Sequence, residues 1–138
     1  MDSFLKSRIP GATNFVWKDA LYLPRWDVCC VPTDDQEDQI IKTAFKLEQV
    51  RSFFGADIKI NCWLRPLVYN MLIGGAKDSA HIYGMAVDFW VKGFTPDQVR
   101  TNLQPHLEDL KIRMENKPAS SWVHIDIRDP SPNRFFIP

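Results

Sequence analysis

Residues 111–128 read KIRMENKPASSWVHIDIR, and this segment decides the fold that we predict. Apolar and polar residues alternate in 111–115 and again in 122–128, and a proline lies between the two runs. Two alternating runs on either side of a turn are typical of an antiparallel hairpin. The inner face would consist of Ile112, Met114, Val123, Ile125 and Ile127. Because successive side chains of a strand point to opposite sides, the outer face would carry Arg113, Glu115, Trp122, His124 and Asp126.

A long helix is predicted before the hairpin. Thr33 followed three residues later by Gln36 forms a capping-box pattern. Apolar residues then recur with a helical period, and Gly55 is placed to end the helix. We expect this helix to be the main helical part of the core.

The remaining segments are shorter. We expect the following further elements: strands at 57–62 and 86–91, a short helix at 66–73, and a helix from Thr95 to about Leu110. Residues 1–32 contain three prolines and would form a short helix and an irregular N-terminal wrap. The prediction is a single α+β domain over residues 1–138, in which a small antiparallel sheet carries the functional site and packs against helices.

Composition excludes several classes of protein. With 138 residues, 45% hydrophobic and 25% charged, the chain is typical of one globular domain. The 17 basic and 17 acidic residues balance, and no basic stripe of the kind that binds nucleic acid is evident. No apolar run approaches the roughly 20 residues of a membrane span. We therefore expect no nucleic-acid partner and no membrane span, and we expect a monomer.

Cysteines and the N-terminus bear on localisation. Cys29, Cys30 and Cys62 are odd in number, so we expect buried free thiols made in a reducing compartment. Residues 1–6 lack the basic start and apolar run of a signal peptide. We expect synthesis in the cytoplasm without a signal peptide.

Three residues form a candidate metal site. His81 and Asp88 flank the small residues Gly84 and Ala86, and His124 lies on the predicted hairpin. Catalytic zinc commonly takes three ligands from His and Asp or Glu and leaves a fourth position open to water. A histidine is also often a structural residue, so from spacing alone metal binding and a structural role remain equal alternatives.

The motifs that contain these residues resemble a known family. The segment 79–88, SAHIYGMAVD, and the segment 122–126, WVHID, are similar to the zinc D-alanyl-D-alanine carboxypeptidase family. That family includes phage endolysins that cut peptidoglycan stem peptides, and it shares its zinc-site fold with sonic hedgehog. The resemblance extends over about residues 57–138. It implies that His81, Asp88 and His124 bind Zn²⁺.

The resemblance also indicates which residues catalyse hydrolysis. In many relatives an acid three residues before the second histidine acts as the general base, but Ser121 occupies that position here. Two carboxylates on the same face of the hairpin can replace it. We favour Glu115, which would lie across the hairpin near Trp122, over Asp126, whose rival role is to orient a ligand histidine.

Two further residues are implied to act on the substrate. In the related carboxypeptidases an arginine in the loop that contains Arg65 pairs with the substrate carboxylate, which a guanidinium matches with two parallel hydrogen bonds. Ser79 would donate or accept hydrogen bonds near the zinc ligands.

The resemblance implies hydrolysis of an amide bond in peptidoglycan stem peptides by a phage-encoded enzyme or its bacterial relative, acting at the cell wall after release or delivery. The D-Ala-D-Ala bond, the L-Ala-D-Glu bond and cross-bridges all remain candidates, for a carboxypeptidase or an endopeptidase. The alternative function is an inactive zinc-containing binding module of the hedgehog type, which the serine at position 121 favours slightly.

Overall fold

The computed structural model describes residues 2–138 of the chain, so residue 1 of the predicted domain and N-terminal segment lies outside the described part. The α-helices are α1 Asp2–Lys6, α2 Trp17–Leu21, α3 Asp34–Phe54, α4 Leu67–Leu72, α5 Pro96–Leu103 and α6 Leu107–Leu110. Short 3₁₀ helices span Ala80–Tyr83 and Gln104–His106. The strands are β1 Tyr22–Leu23, β2 Val28–Cys29, β3 Ile58–Cys62, β4 Ala86–Val91, β5 Arg113–Glu115, β6 Val123–Asp126 and β7 Phe135–Phe136. The α+β fold is confirmed.

The main sheet has the strand order β3-β4-β6-β5-β7. The predicted hairpin is present as β5 and β6, with Arg113 opposite Asp126 and Met114 opposite Ile125. The expectation of an antiparallel sheet holds for β3, β4, β6 and β5, but β7 pairs with β5 in parallel. The sheet is therefore mixed, because the chain turns back after β6 and adds β7 to the outer edge.

Helix α3 supplies the helical side of the core. Thr33 Oγ1 accepts a hydrogen bond from the Gln36 amide at 3.1 Å, and Gln36 Oε1 accepts one from the Thr33 amide at 2.9 Å. Gly55 ends the helix in the left-handed conformation, with φ 60°. The inward face of α3 is fully buried: Ile40, Ala44, Leu47 and Val50. Burying each of the larger aliphatic side chains stabilises the fold by about 1.5–3 kcal/mol.

Two predicted segments differ in detail. The helix expected from Thr95 to about Leu110 is interrupted by the 3₁₀ turn that contains Pro105. Proline has no amide hydrogen to continue the helical ladder, so the helix breaks there. In the N-terminal segment, α1, α2 and the antiparallel pair β1–β2 give more regular structure than the expected irregular wrap.

Within residues 2–138 no helix combines the length and the apolar character that crossing a membrane requires. The three cysteines are free thiols, as predicted, but each is half-buried where buried thiols were expected.

Candidate metal centre

Three side chains converge where β4 and β6 lie side by side. Asp88 on β4 is opposite His124 on β6, and His81 lies on the 3₁₀ turn that precedes β4. Asp88 Oδ1 is 3.1 Å from His81 Nε2 and 2.8 Å from His124 Nδ1. The candidate ligand atoms all lie within 4.8 Å of one another. The structure therefore brings together the three residues that were predicted to bind metal.

In both histidines, the ring nitrogen that does not face Asp88 also has a hydrogen-bond partner. The Nδ1 atom of His81 is 2.7 Å from the carbonyl oxygen of Trp63, and the Nε2 atom of His124 is 3.1 Å from Oδ2 of Asp126. A neutral imidazole that donates to those oxygens keeps a lone pair on the nitrogen facing Asp88. Metal-binding histidines almost always have such partners. The residues present therefore fit a zinc ion with an N, O, N donor set.

Gly84, a small residue between the candidate ligands His81 and Asp88, lies where a larger residue does not fit. Its φ is 77°, and a Cβ atom there would lie 2.9 Å from Cγ1 of Ile40 on α3. Its carbonyl oxygen accepts hydrogen bonds from Trp63 Nε1 at 3.3 Å and from the buried hydroxyl of Thr43 at 3.1 Å. The turn that carries His81 is thus packed directly against the core helix.

Ser79 begins this turn. Its Oγ atom accepts a hydrogen bond from the amide of His81 at 3.2 Å, which makes Ser79 the N-cap of the 3₁₀ helix. The side chain also lines the cleft above the three ligand residues. Its hydrogen bond therefore lies at the turn that carries His81, and its contact with a substrate stays a prediction.

Asp126 is fixed behind His124, away from the cleft. Arg113 donates two hydrogen bonds to its carboxylate, at 2.7 and 2.9 Å, and the amide of Arg128 donates a third at 3.2 Å. The side chain is 1% exposed, and the guanidinium of Arg113 stacks 4.1 Å from the ring centroid of Phe136. Burial raises the pKa of Asp126, but the bonds from His124 and Arg113 outweigh it and lower the pKa.

Glu115 occupies a different place. It lines the cleft together with the three ligand residues, whereas Asp126 does not. Since Met114 is opposite Ile125, continuing the register places Glu115 across the hairpin from His124, and Trp122 lines the same cleft. The two carboxylates that the sequence left as alternatives thus lie on different sides of His124.

The cleft has a volume of about 220 Å³. Its lining includes Arg65, Lys117 and Trp122 in addition to the residues above. Arg65 donates from Nε to Cys62 Sγ at 3.1 Å, from Nη1 to Asn70 Oδ1 at 3.4 Å and from Nη2 to Asp88 Oδ2 at 3.4 Å. Arg65 therefore contacts the side of Asp88 that faces away from the histidines.

The charges of Asp88 and His124 depend strongly on each other. Burial works against ionised Asp88, but the two histidines outweigh it and hold the pKa of Asp88 well below its usual range. Burial also opposes a charged His124, but hydrogen bonds and the negative charges of Asp126 and Asp88 raise the pKa of His124 to about 9. A metal ion at this position would replace the proton that His124 otherwise holds.

Three groups at the candidate metal site and its cleft were not identified from the sequence. The carbonyl of Trp63 carries no side-chain signal, and the pairing of Arg113 with Asp126 depends on the hairpin register. Lys117 lies in the predicted turn, where a charged residue normally indicates only solvent exposure. The alternating pattern did place Arg113 and Asp126 on one face, which is the signal from which their pairing can be inferred.

The family model described as Peptidase M15 matches residues 22–126, which include all three candidate ligands. The match begins upstream of the resembling motifs and ends at Asp126, before the last strand. No curated protein matches the chain.

Proposed function

This chain belongs to the peptidase M15 family, and we propose that it hydrolyses an amide bond in the stem peptides of bacterial peptidoglycan, with one zinc ion held by His81, Asp88 and His124. The family implies metal-dependent hydrolysis of a peptide. The observation that carries the proposal is the convergence of the three ligand atoms, with both remaining imidazole nitrogens already bonded.

Zinc is the metal that suits these donors best. Magnesium and calcium prefer oxygen ligands and rarely bind through imidazole. Two imidazoles and one carboxylate match the open three-ligand sites of catalytic zinc. When bound, zinc polarises the scissile carbonyl and makes a water molecule more acidic.

The chain's own residues would supply the other functions. We assign Glu115 as the general base, because it lines the cleft opposite His124 and can exchange protons with water and the leaving amine. Asp126 would hold the imidazole of His124 in position. Arg65 would fix Asp88, and its remaining N–H groups and Ser79 would contact the substrate.

The choice of peptidoglycan is supported by the motifs of residues 79–88 and 122–126, which resemble those of D-alanyl-D-alanine carboxypeptidases and phage endolysins. The same resemblance favours a phage-encoded enzyme or its bacterial relative. Since its substrate lies outside the cytoplasmic membrane, the protein would act at the cell wall after release or delivery.

Digestion of purified peptidoglycan tests the proposal. Zinc-loaded protein should release fragments with new amino termini, and mass analysis of these fragments identifies the bond. His81→Ala should release none, whereas His106→Ala is the matched control, because His106 packs against Phe53 outside the site. Peptidoglycan that is bound but left uncut by the zinc-loaded parent would instead support the binding module.

A further inference from the structure

We infer that Lys117 binds a carboxylate of the substrate and thereby selects peptides that carry a carboxylate close to the scissile amide. This inference rests on the proposed function and adds the chemical class of its substrate. The cation involved is a residue of the β5–β6 loop, distinct from the arginine that the sequence indicated.

Arg65 is the other cation of the cleft. Its Nε, Nη1 and Nη2 atoms are directed at Cys62, Asn70 and Asp88, at 3.1, 3.4 and 3.4 Å. Its side chain is only 16% exposed. A fork that is engaged on all three nitrogens offers little of the paired donor geometry that a carboxylate clamp requires.

Lys117 differs from Arg65 both in its exposure and in its pairing. It is exposed and lines the cleft together with His81, Glu115 and His124. Across residues 2–138, no ion pair joins its ammonium group to an Asp or Glu side chain. A lysine is a compact point charge on a flexible stem, so it can follow a carboxylate without fixed geometry. The ammonium group of Lys117 is thus available to a ligand, whereas Arg65 offers a ligand only the N–H groups that Cys62, Asn70 and Asp88 leave over.

The loop that carries Lys117 is held in place. Arg100 on α5, 6% exposed, donates to the carbonyl oxygens of Trp122 at 3.0 Å and Ser120 at 3.2 Å. Its neighbour Asp97 accepts a hydrogen bond from the amide of Ala119 at 3.2 Å. Anchoring a loop before binding lowers the entropy that is lost when a ligand binds. Lys117 therefore starts from a fixed backbone position at the edge of the cleft.

A carboxylate bound there can come from two sources, the C-terminal residue of the peptide or a glutamate side chain. The test uses three zinc-dependent substrates that share one scissile bond: a peptide with both carboxylates, its C-terminal amide, and its glutamine analogue. The variants are Lys117→Met, which removes the charge, and Lys117→Arg, which keeps it. Lys92→Met is the matched control, because Lys92 is exposed and lies outside the cleft.

We expect Lys117→Met to lower kcat/KM about 10-fold on the peptide with both carboxylates, mainly through KM, which is the size of a charge-assisted hydrogen bond. Lys117→Met should leave kcat/KM unchanged on one of the two neutral analogues. The carboxylate that this analogue lacks is the one that Lys117 binds. Lys117→Arg should retain most of the preference for the carboxylate peptide over that neutral analogue. Lys92→Met should retain all of this preference. An unchanged preference in Lys117→Met, with an unchanged melting temperature, would overturn the inference.

Peptide binding to the zinc-loaded protein, measured by calorimetry, separates this inference from the proposed function. If the parent cuts no peptide but binds the carboxylate peptide about 10-fold more tightly than Lys117→Met does, hydrolysis is wrong and the role of Lys117 stands. The opposite outcome is that the parent hydrolyses peptides while the parent and Lys117→Met show the same preference for the carboxylate peptide over its neutral analogues. In that case the proposed function stands and the role of Lys117 is wrong.

Discussion

His124 and Asp126 lie two residues apart on one strand, and Nε2 of the first is 3.1 Å from Oδ2 of the second. Arg113 holds the same carboxylate from the neighbouring strand through two hydrogen bonds. The chain Arg113–Asp126–His124 therefore fixes the orientation of one candidate metal ligand from the side away from the cleft.

Asp126→Asn should weaken zinc binding, because an amide donates as well as accepts and no longer matches both the imidazole and the guanidinium. The loss of such a partner typically costs about 10–100-fold in metal affinity or activity. Competition with a chromogenic chelator measures the affinity. Asp109→Asn, on the exposed side of α6, is the control and should change nothing. Unaltered affinity in Asp126→Asn would remove the orienting role.

Glu115→Gln should keep its zinc and lose hydrolysis, because Gln cannot take a proton from water. A positioned general base is worth about 10²–10⁴-fold in rate. The measurements are kcat on a stem peptide and zinc content of the same sample. Full activity in Glu115→Gln, together with an inactive Asp126→Asn that still holds zinc, would exchange the two roles.

Gly84→Ala should destabilise the protein more than Gly11→Ala. Both glycines have a positive φ, 77° and 78°, so both substitutions strain the backbone by about 1–2 kcal/mol. A Cβ at Gly84 would also collide with Ile40, whereas nothing lies within 4 Å of one at Gly11. Overpacking adds about 1–3 kcal/mol. Urea denaturation gives both free energies of unfolding, and equal losses would contradict the packing role of Gly84.

The metal-free protein should lose stability as the pH rises from about 6.5 to about 9. The pKa of His124 is raised to about 9 in the folded state, above the unfolded value of about 6.5. Its stabilising contribution is therefore complete below about pH 6.5 and is lost as the pH passes through about 9. Urea denaturation of chelator-treated protein measures this decline. His124→Gln should flatten it, and a decline of equal size in that variant would assign the effect to other groups.

Local signals in the sequence predicted the elements that carry them. Thr33 with Gln36, the glycine at 55 and the alternation of residues 111–128 each act within a few residues, and each appears in the structure. The strand β7 has two residues and no alternating pattern, so its parallel pairing with β5 depends on tertiary contacts that no local rule describes. The break at Pro105 has a local cause that the helical pattern around it obscured.

The candidate site likewise has residues that the sequence predicted and partners that it did not. Motifs placed the three candidate ligands, because residues 79–88 and 122–126 resemble those of a known family. The partners of those ligands were less accessible to prediction. A backbone carbonyl such as that of Trp63 is present at every position, and the residue that faces Glu115 across the hairpin depends on the strand register, which alternation alone does not fix.

The central claim is that zinc at this site drives amide hydrolysis, and titration of metal-free protein with zinc tests it most directly. The release of amino groups from purified peptidoglycan is measured at each addition. We predict that the rate rises in proportion to zinc and levels off at about one equivalent per chain, as expected for one three-ligand catalytic site. A rate that is independent of zinc, or no release at full occupancy, would contradict the claim.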